Sequence, residues 1–321
     1  MIDVSVVICT WNRSGLLRQT LKSLEECRIP NNLSWEVLVV DNASSDDTQQ
    51  VLMDAKQRLP LVTCIEKTPG KSNALNLSLK MAQGKYLLYT DDDVVVDPDW
   101  IVNTVSAFQR YNADIVYGRV RPFWETRQPT WFSDLFNGHF ALLNHGDVEF
   151  ETKDQQLCGF GVNNSFQKTS LLSLGGFRTD IGPRHNKGAG GEDTDIFLRA
   201  YAKGMKVIYT PHALINHFIP IERCQRRYFR KRTWRGSEDV YRVYVDEKLA
   251  RCFLGIPRYR FRMAISDLLM NIRANLAGES SKAFYTELRL LNFAGMVYHS
   301  ILGFGNRCKR SYYNCKVTER C

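Results

Sequence analysis

Residues 86–100 read YLLYTDDDVVVDPDW: an apolar run, Tyr86 to Tyr89, then three adjacent carboxylates and a second β-branched run. A short continuous apolar segment is how a strand buried on both faces of a parallel sheet reads. Adjacent like charges repel, and a strand gains nothing from them. Asp91, Asp92 and Asp93 therefore call for a positive charge at the strand's end. Such a hard-oxygen cluster holds Mg²⁺ or Mn²⁺ through one or two carboxylates and leaves positions for phosphate oxygens. The alternative is a solvated turn that helps cap the next helix. Alternation along an extended segment puts Asp91 and Asp93 on one face and Asp92 on the other.

The same unit recurs on either side. Val4 to Cys9, Trp35 to Val40 and Leu61 to Ile65 are further apolar strands. Between them, Leu17, Leu21 and Leu24 mark a helix that Ser14 can cap, and Val51, Leu52 and Ala55 mark a second. Leu75, Leu79 and Ala82 mark a third, for which Gly84 is the expected C′ residue. Asp97-Pro98 opens a fourth, with Ile101, Val105 and Phe108 as its stripe. Repeated βα units of this kind predict an α/β fold, a parallel sheet covered on both faces. Ligands then collect outside the carboxyl ends of the strands. Thr10 to Arg13, Asp41-Asn42, Glu66-Lys67 and Asp91 to Asp93 all follow strands, so they meet at one rim.

Beyond residue 114 the pattern loosens. Asp114 to Gly118 reads as a strand, and residues 122–157 as an irregular aromatic-rich excursion. Residues 190–204 read as a helix with glycines at both ends and an acidic first turn. Val207 to Tyr209 and Ala213 to Ile215 read as two short strands.

The chain has 321 residues, a net charge of +9 and nine cysteines. Thirteen Lys/Arg against four Asp/Glu fall between Arg223 and Arg262, which leaves thirty of each sign elsewhere. All the basicity thus lies in one C-terminal segment, which reads as helical. No nucleic-acid motif accompanies it, so nucleic acid is not an expected partner. Its arginines suit phosphate groups or an anionic membrane surface. The stretches MAISDLLMNI and LLNFAGMVYHSILGFG suit interfacial helices resting on that membrane or against the protein. No run reaches the roughly 18 apolar residues that span a bilayer. The cysteines form no C-x-x-C pair, and Cys9 and Cys64 read as small core residues. A reducing, cytoplasmic setting without a signal peptide is expected. Cys308, Cys315 and Cys321 match no common metal-site spacing.

The ordered motifs VSVVICTWNR, EVLVVDNASSDDT, PGKSNALNLSL, YLLYTDDDVVVDPDW and GGFRTDIG…GGEDTDIFLR resemble a family 2 glycosyltransferase of the GT-A fold, over roughly residues 3–220. The resemblance implies a GT-A catalytic domain over 1–222, with a mostly parallel sheet flanked by helices, and a basic, mainly helical extension over 223–321. It implies inverting transfer from a nucleotide-diphospho-sugar to an acceptor hydroxyl on a glycan or lipid-linked sugar, with Mn²⁺ or Mg²⁺. Carried onto this chain, Thr10, Asn12 and Arg13 touch the nucleotide, and Asp41 the base or ribose unless it caps the Ser44–Ser45 turn. Lys71, Asn73 and Asn76 flank nucleotide and phosphates, where a Gly-Lys entering a helix is a natural anion site. Asp93 ligates metal, Asp91 serves ribose or metal, and Asp92 fills the variable middle. Asp193, paired with Glu192, is the general base that takes the acceptor's proton, kept ionised by its helix N-terminus. Gly159 and Gly161 wall the sugar, and His217 completes the metal site. Two rivals stand beside this reading: a catalytically silent nucleotide-sugar-binding partner protein, and a metal-dependent nucleotidyl- or phosphotransferase.

Overall fold

The computed structural model describes residues 2–154, 157–183, 190–245, 252–253 and 256–302. His185, Gly188 and the trio Cys308, Cys315 and Cys321 lie outside the described residues. The chain divides into two compact units, the first made of residues 1–128, 136–185 and 192–224, the second of 129–135, 186–191 and 225–321.

The first unit begins with strand β1 (Val4–Thr10), helix α1 (Ser14–Glu25), β2 (Trp35–Asp41), α2 (Thr48–Ala55), β3 (Leu61–Ile65), α3 (Lys71–Met81) and β4 (Tyr86–Asp91). It continues with β5 (Val94–Val96), α4 (Trp100–Tyr111), β6 (Ile115–Trp124), β7 (Phe150–Thr152), β8 (Asn163–Gln167), α5 (Lys168–Ser173), α6 (Glu192–Ala202) and β9 (Val207–Ile219). These strands form one mixed sheet in the order β3-β2-β1-β4-β8-β6-β9-β5, with β7 also on β9. The β1–β4 half is parallel, as the βα pattern predicts, while β8 runs antiparallel to both β4 and β6.

Register positions the site. Thr10 stands opposite Asp41, and Cys9 opposite Asp91, so the carboxyl ends of β1, β2 and β4 finish level. Below that rim Val6, Val7 and Ile8 have no exposed surface. Each such side chain contributes about 1.5–3 kcal/mol by leaving water.

Four local expectations change. Ser14 is the first helical residue rather than the cap; its N–H donates to Asp46 Oδ2 at 2.8 Å, so a neighbouring loop caps α1. Gly84 is not a left-handed cap. A Cβ there would lie 2.3 Å from the backbone nitrogen of Ser5, so glycine is required by close chain approach. The two short strands after residue 206 are one, β9, because a register shift between Gly118 and Val120 lets the pairing with β6 continue. Cys9 and Cys64 are both only half-buried, Cys64 because β3 is an edge strand that exposes Val62 and Ile65.

The second unit holds α7 (Arg226–Val245), a two-stranded pair β10 (Cys252–Phe253) and β11 (Ile256–Pro257), α8 (Arg258–Leu276) and α9 (Ser280–Ile301). Helix α9 packs on both α7 and α8. Tyr241, Ile256 and Met296 centre its apolar core, with Phe261 and Phe293 packed around them. The stretch from Leu290 therefore packs largely on protein, leaving Tyr298, Ile301 and Leu302 exposed. Among the described residues no helix is long and apolar enough to cross a membrane.

Candidate active site

The three aspartates do not alternate. Asp91 ends β4 and the next two residues turn, which swings Asp92 and Asp93 inward to 4% and 3% exposure. Buried carboxylates persist only with partners. Arg13 supplies one: its Nη1 lies 3.0 Å from both Asp92 Oδ1 and Asp93 Oδ2. Thr10 Oγ1 donates to Asp92 Oδ2 at 2.7 Å. Asp92, expected as the variable middle residue, is thus the one tied most deeply into the β1 loop. Burial, partly offset by Arg13, raises its pKa to about 6.

Asp93 differs. Burial pushes its pKa up, but a protonated His217 beside it, with Arg223 and Arg13, outweighs that and holds it well below the usual carboxylate range. Arg223 Nη2 lies 3.4 Å from Oδ2. His217 Nδ1 pairs with the Phe140 carbonyl oxygen at 2.8 Å, which sets Nδ1 as donor in the neutral ring and leaves Nε2 as the lone-pair nitrogen. That Nε2 stands 3.4 Å from Asp93 Oδ1, a buried oxygen that accepts no hydrogen bond. An orphaned carboxylate oxygen beside an imidazole lone pair is a donor set suited to a divalent ion. Asp91 does not join it, and among the described residues no three His, Cys, Asp or Glu gather as a metal cluster. Two protein ligands fit Mg²⁺ or Mn²⁺, which complete their shells with water and phosphate oxygens.

Asp91 instead faces Lys71, whose Nζ lies 2.7 Å from Asp91 Oδ1 and 3.9 Å from Glu192 Oε1. Lys71 thereby links the β4 rim to the first turn of α6. Gly70, at φ 127°, is the N-cap that lets the chain enter α3 at that point. Asp193 Oδ2 accepts the Gly161 N–H at 2.8 Å. Burial, then the charge of Glu192, push the Asp193 carboxyl up to about 7 against the opposing pull of Lys71. The helix N-terminus was expected to keep Asp193 ionised; desolvation and a like charge next to it win. Beneath lies a cavity of about 10 Å³, lined by Lys71, Tyr89, Asp91, Gly161, Asn164 and Asp193 among others, room for about one water.

Other residues expected at the nucleotide also hold loops. Asp41, 2% exposed, accepts the Ser44 N–H at 2.8 Å and Gln49 Nε2 at 2.6 Å, which is the turn-capping role. Asn12, at φ 51°, accepts the Ser45 N–H at 2.7 Å. Asn73 donates to the Pro69 carbonyl at 3.0 Å, and Asn76 clasps both backbone groups of Phe177 at 2.8 Å. Two residues at the site had no individual role assigned from sequence. Arg223 was only one of many basic residues there. Asn42 donates to the carbonyls of Glu66 and Thr68 and accepts the Gly70 N–H at 2.9 Å, shaping the loop before Lys71.

Residues 5–173 match the family model described as Glycosyl transferase family 2. The chain is 24% identical over 249 residues to the succinoglycan biosynthesis protein ExoM of Rhizobium meliloti (strain 1021), covering 77% of this chain and 76% of that protein. It is 28% identical over 223 residues to the glucosyl-dolichyl phosphate glucuronosyltransferase of Haloferax volcanii, covering 67% and 69%. In structure it resembles the mannosyltransferase PcManGT of Pyrobaculum calidifontis, solved with GDP-Man and Mn²⁺, at a TM-score of 0.59, 19% identity, and coverage of 94% and 75%. That likeness establishes the GT-A arrangement of the α/β unit. With the family model spanning β1 through α5, the chain belongs to glycosyltransferase family 2 and is a nucleotide-sugar-dependent glycosyltransferase.

Proposed function

We propose that this enzyme transfers a sugar with inversion from a nucleotide-diphospho-sugar to a saccharide hydroxyl, with Asp193 as general base. The observation that carries the reading is the position of the Asp193 carboxylate, which accepts the Gly161 N–H at 2.8 Å and lines one cavity with Lys71 and Asp91; burial raises its pKa to about 7. A base with a pKa near the working pH is best matched to proton transfer, which contributes about 10²- to 10⁴-fold. The acceptor oxygen attacks the anomeric carbon from the face opposite the diphosphate. Its proton passes to Asp193, the new glycosidic bond forms, and the old carbon–oxygen bond breaks with its electron pair leaving on the nucleoside diphosphate.

Asp93 and His217 are the residues that would hold a divalent cation, which when bound supplies charge neutralisation for the leaving diphosphate. Arg13 and Arg223 add fixed positive charge at the same place. Lys71 holds Asp91 and Glu192, with Asp91 left to meet the ribose. Thr10, Asn12, Asp41, Asn73 and Asn76 act by shaping the loops that seat the nucleotide. A glycan or lipid-linked acceptor is supported by the relatives, one a succinoglycan biosynthesis protein and the other a glucosyl-dolichyl phosphate glucuronosyltransferase.

The test is thermal unfolding with UDP, dTDP and GDP, each with and without Mn²⁺ or Mg²⁺. A ligand at 100 times its dissociation constant stabilises by about 2.7 kcal/mol. Asp193→Asn is expected to keep that shift and lose turnover. Full turnover in Asp193→Asn would move the assignment to nucleotidyl or phosphoryl transfer, and binding without any turnover in the unaltered chain to the silent partner.

A further inference from the structure

Helix α8 is built inside out. Ile265, Leu268, Leu269, Ile272 and Leu276 recur at i, i+3, i+4, i+7 and i+11, one face of a helix. All five are between 49% and 85% exposed. Its only carboxylate points the other way: Asp267 is 4% exposed, and its Oδ2 accepts from Arg289 Nε of α9 at 2.9 Å. Ala274, seven residues on, shares that inner face at 2% exposure. An amphipathic helix on a water-facing surface has the opposite polarity.

The charge on α8 says what covers the stripe. Arg258 and Arg262 continue the same row towards the helix start, and Arg273 flanks it; all three are exposed. We infer that this face of α8 docks on an anionic lipid bilayer. The five aliphatic side chains enter the acyl boundary while the arginines, on long flexible stems, reach lipid phosphates. The helix lies on the membrane, since no described helix can cross one. A second copy of the chain fits less well. Stable protein interfaces bury about 800 Å² per partner, more than one narrow row supplies, and would strip water from Arg258 and Arg262 without a counter-charge. The inference rests on the second unit alone and is independent of the transfer reading.

Flotation of the full chain with phosphatidylglycerol-containing and pure phosphatidylcholine vesicles tests it. The chain is expected to float with the anionic vesicles, less so as salt rises. Leu269→Glu with Ile272→Glu should lower the bound fraction by about tenfold or more. Arg258→Gln with Arg262→Gln should lower affinity for the anionic vesicles by about 25-fold, at about fivefold for each arginine, with little change on phosphatidylcholine. These positions are exposed, and circular dichroism checks the fold of each variant. The nucleotide-induced thermal shift of the same samples reports separately on the sheet rim. Failure of the unaltered chain to float, or floating unimpaired by the Glu pair, overturns the proposal. So does a dimer that the Glu pair dissociates, which would give the face to a second copy.

Discussion

Asp193 is held by a residue that has no side chain. Its Oδ2 accepts the Gly161 N–H at 2.8 Å, and a Cβ on Gly161 would lie 2.6 Å from Asp193 Oδ1. The carboxylate thus occupies space that any other residue at 161 would fill. Gly161→Ala is expected to push Asp193 aside with nucleotide binding retained, lowering kcat by about 10²-fold, the usual cost of an ångström of misplacement. Turnover with a competent acceptor, set against the nucleotide thermal shift, checks it. Unchanged kcat would remove Asp193 from the proposed role.

The pH dependence follows from the raised carboxyl. Asp193 works as a base only when ionised, and burial with Glu192 beside it places that ionisation at about 7. The rate should therefore rise with pH through about 7 and level off above. Asp193→Asn should abolish the limb along with the activity. A profile flat between pH 5 and 8 (roughly the window where such a group titrates) would contradict the assignment.

The same shift costs stability. Folding raises the Asp193 pKa from 3.8 to about 7, so the folded state favours the proton. The stabilisation of the protonated form is complete below the unfolded pKa and is lost as pH rises through the folded one. Asp193→Asn is expected to raise Tm at pH 8 and to change it little near pH 4. Thermal scans at the two pH values decide it.

Asp93 and His217 give the metal prediction. With Asp93 Oδ1 accepting no hydrogen bond and His217 Nε2 3.4 Å away, removing either should weaken Mn²⁺-dependent nucleotide binding by about tenfold or more. Asp93→Asn and His217→Ala should lose the metal-dependent part of the thermal shift and keep the metal-free part. Equal loss of both parts would point to collapse of the loop, which circular dichroism reads directly.

Gly84 tests the packing account of the β4 entry. Its absent Cβ would sit 2.3 Å from the Ser5 nitrogen, a backbone atom that cannot swing away. Gly84→Ala should destabilise the chain by about 1–3 kcal/mol, the range for an overpacked interior, measured by chemical denaturation. A neutral result would mean that β1 and the α3–β4 connection are looser than they stand.

Much of the molecule is legible in the sequence. Strands β1, β2 and β4 are buried on both faces, and that environment admits only continuous apolar runs, so they announced themselves. The rim followed, because parallel strands in βα order must finish at one end. Reading was poorer wherever a residue's job is set by a distant neighbour. Ser14 looked like a helix cap, yet Asp46 does the capping. Gly84 looked like a helix terminator, yet it makes room for Ser5. Asn76 also clasps Phe177, 101 residues away, which no local pattern marks.

By itself the sequence determined the α/β order, the carboxylates at the strand ends and the family. These follow from local burial and from motif spacing along one chain. Only the tertiary structure decided which cation answers which acid: Arg13 for Asp92 and Asp93, Lys71 for Asp91 and Glu192, Arg223 for Asp93. It also decided that Asp193 is raised rather than lowered, and that α8 turns its apolar row outward. Pairing and desolvation depend on what the crossovers bring within a few ångströms, and no spacing along the chain encodes that.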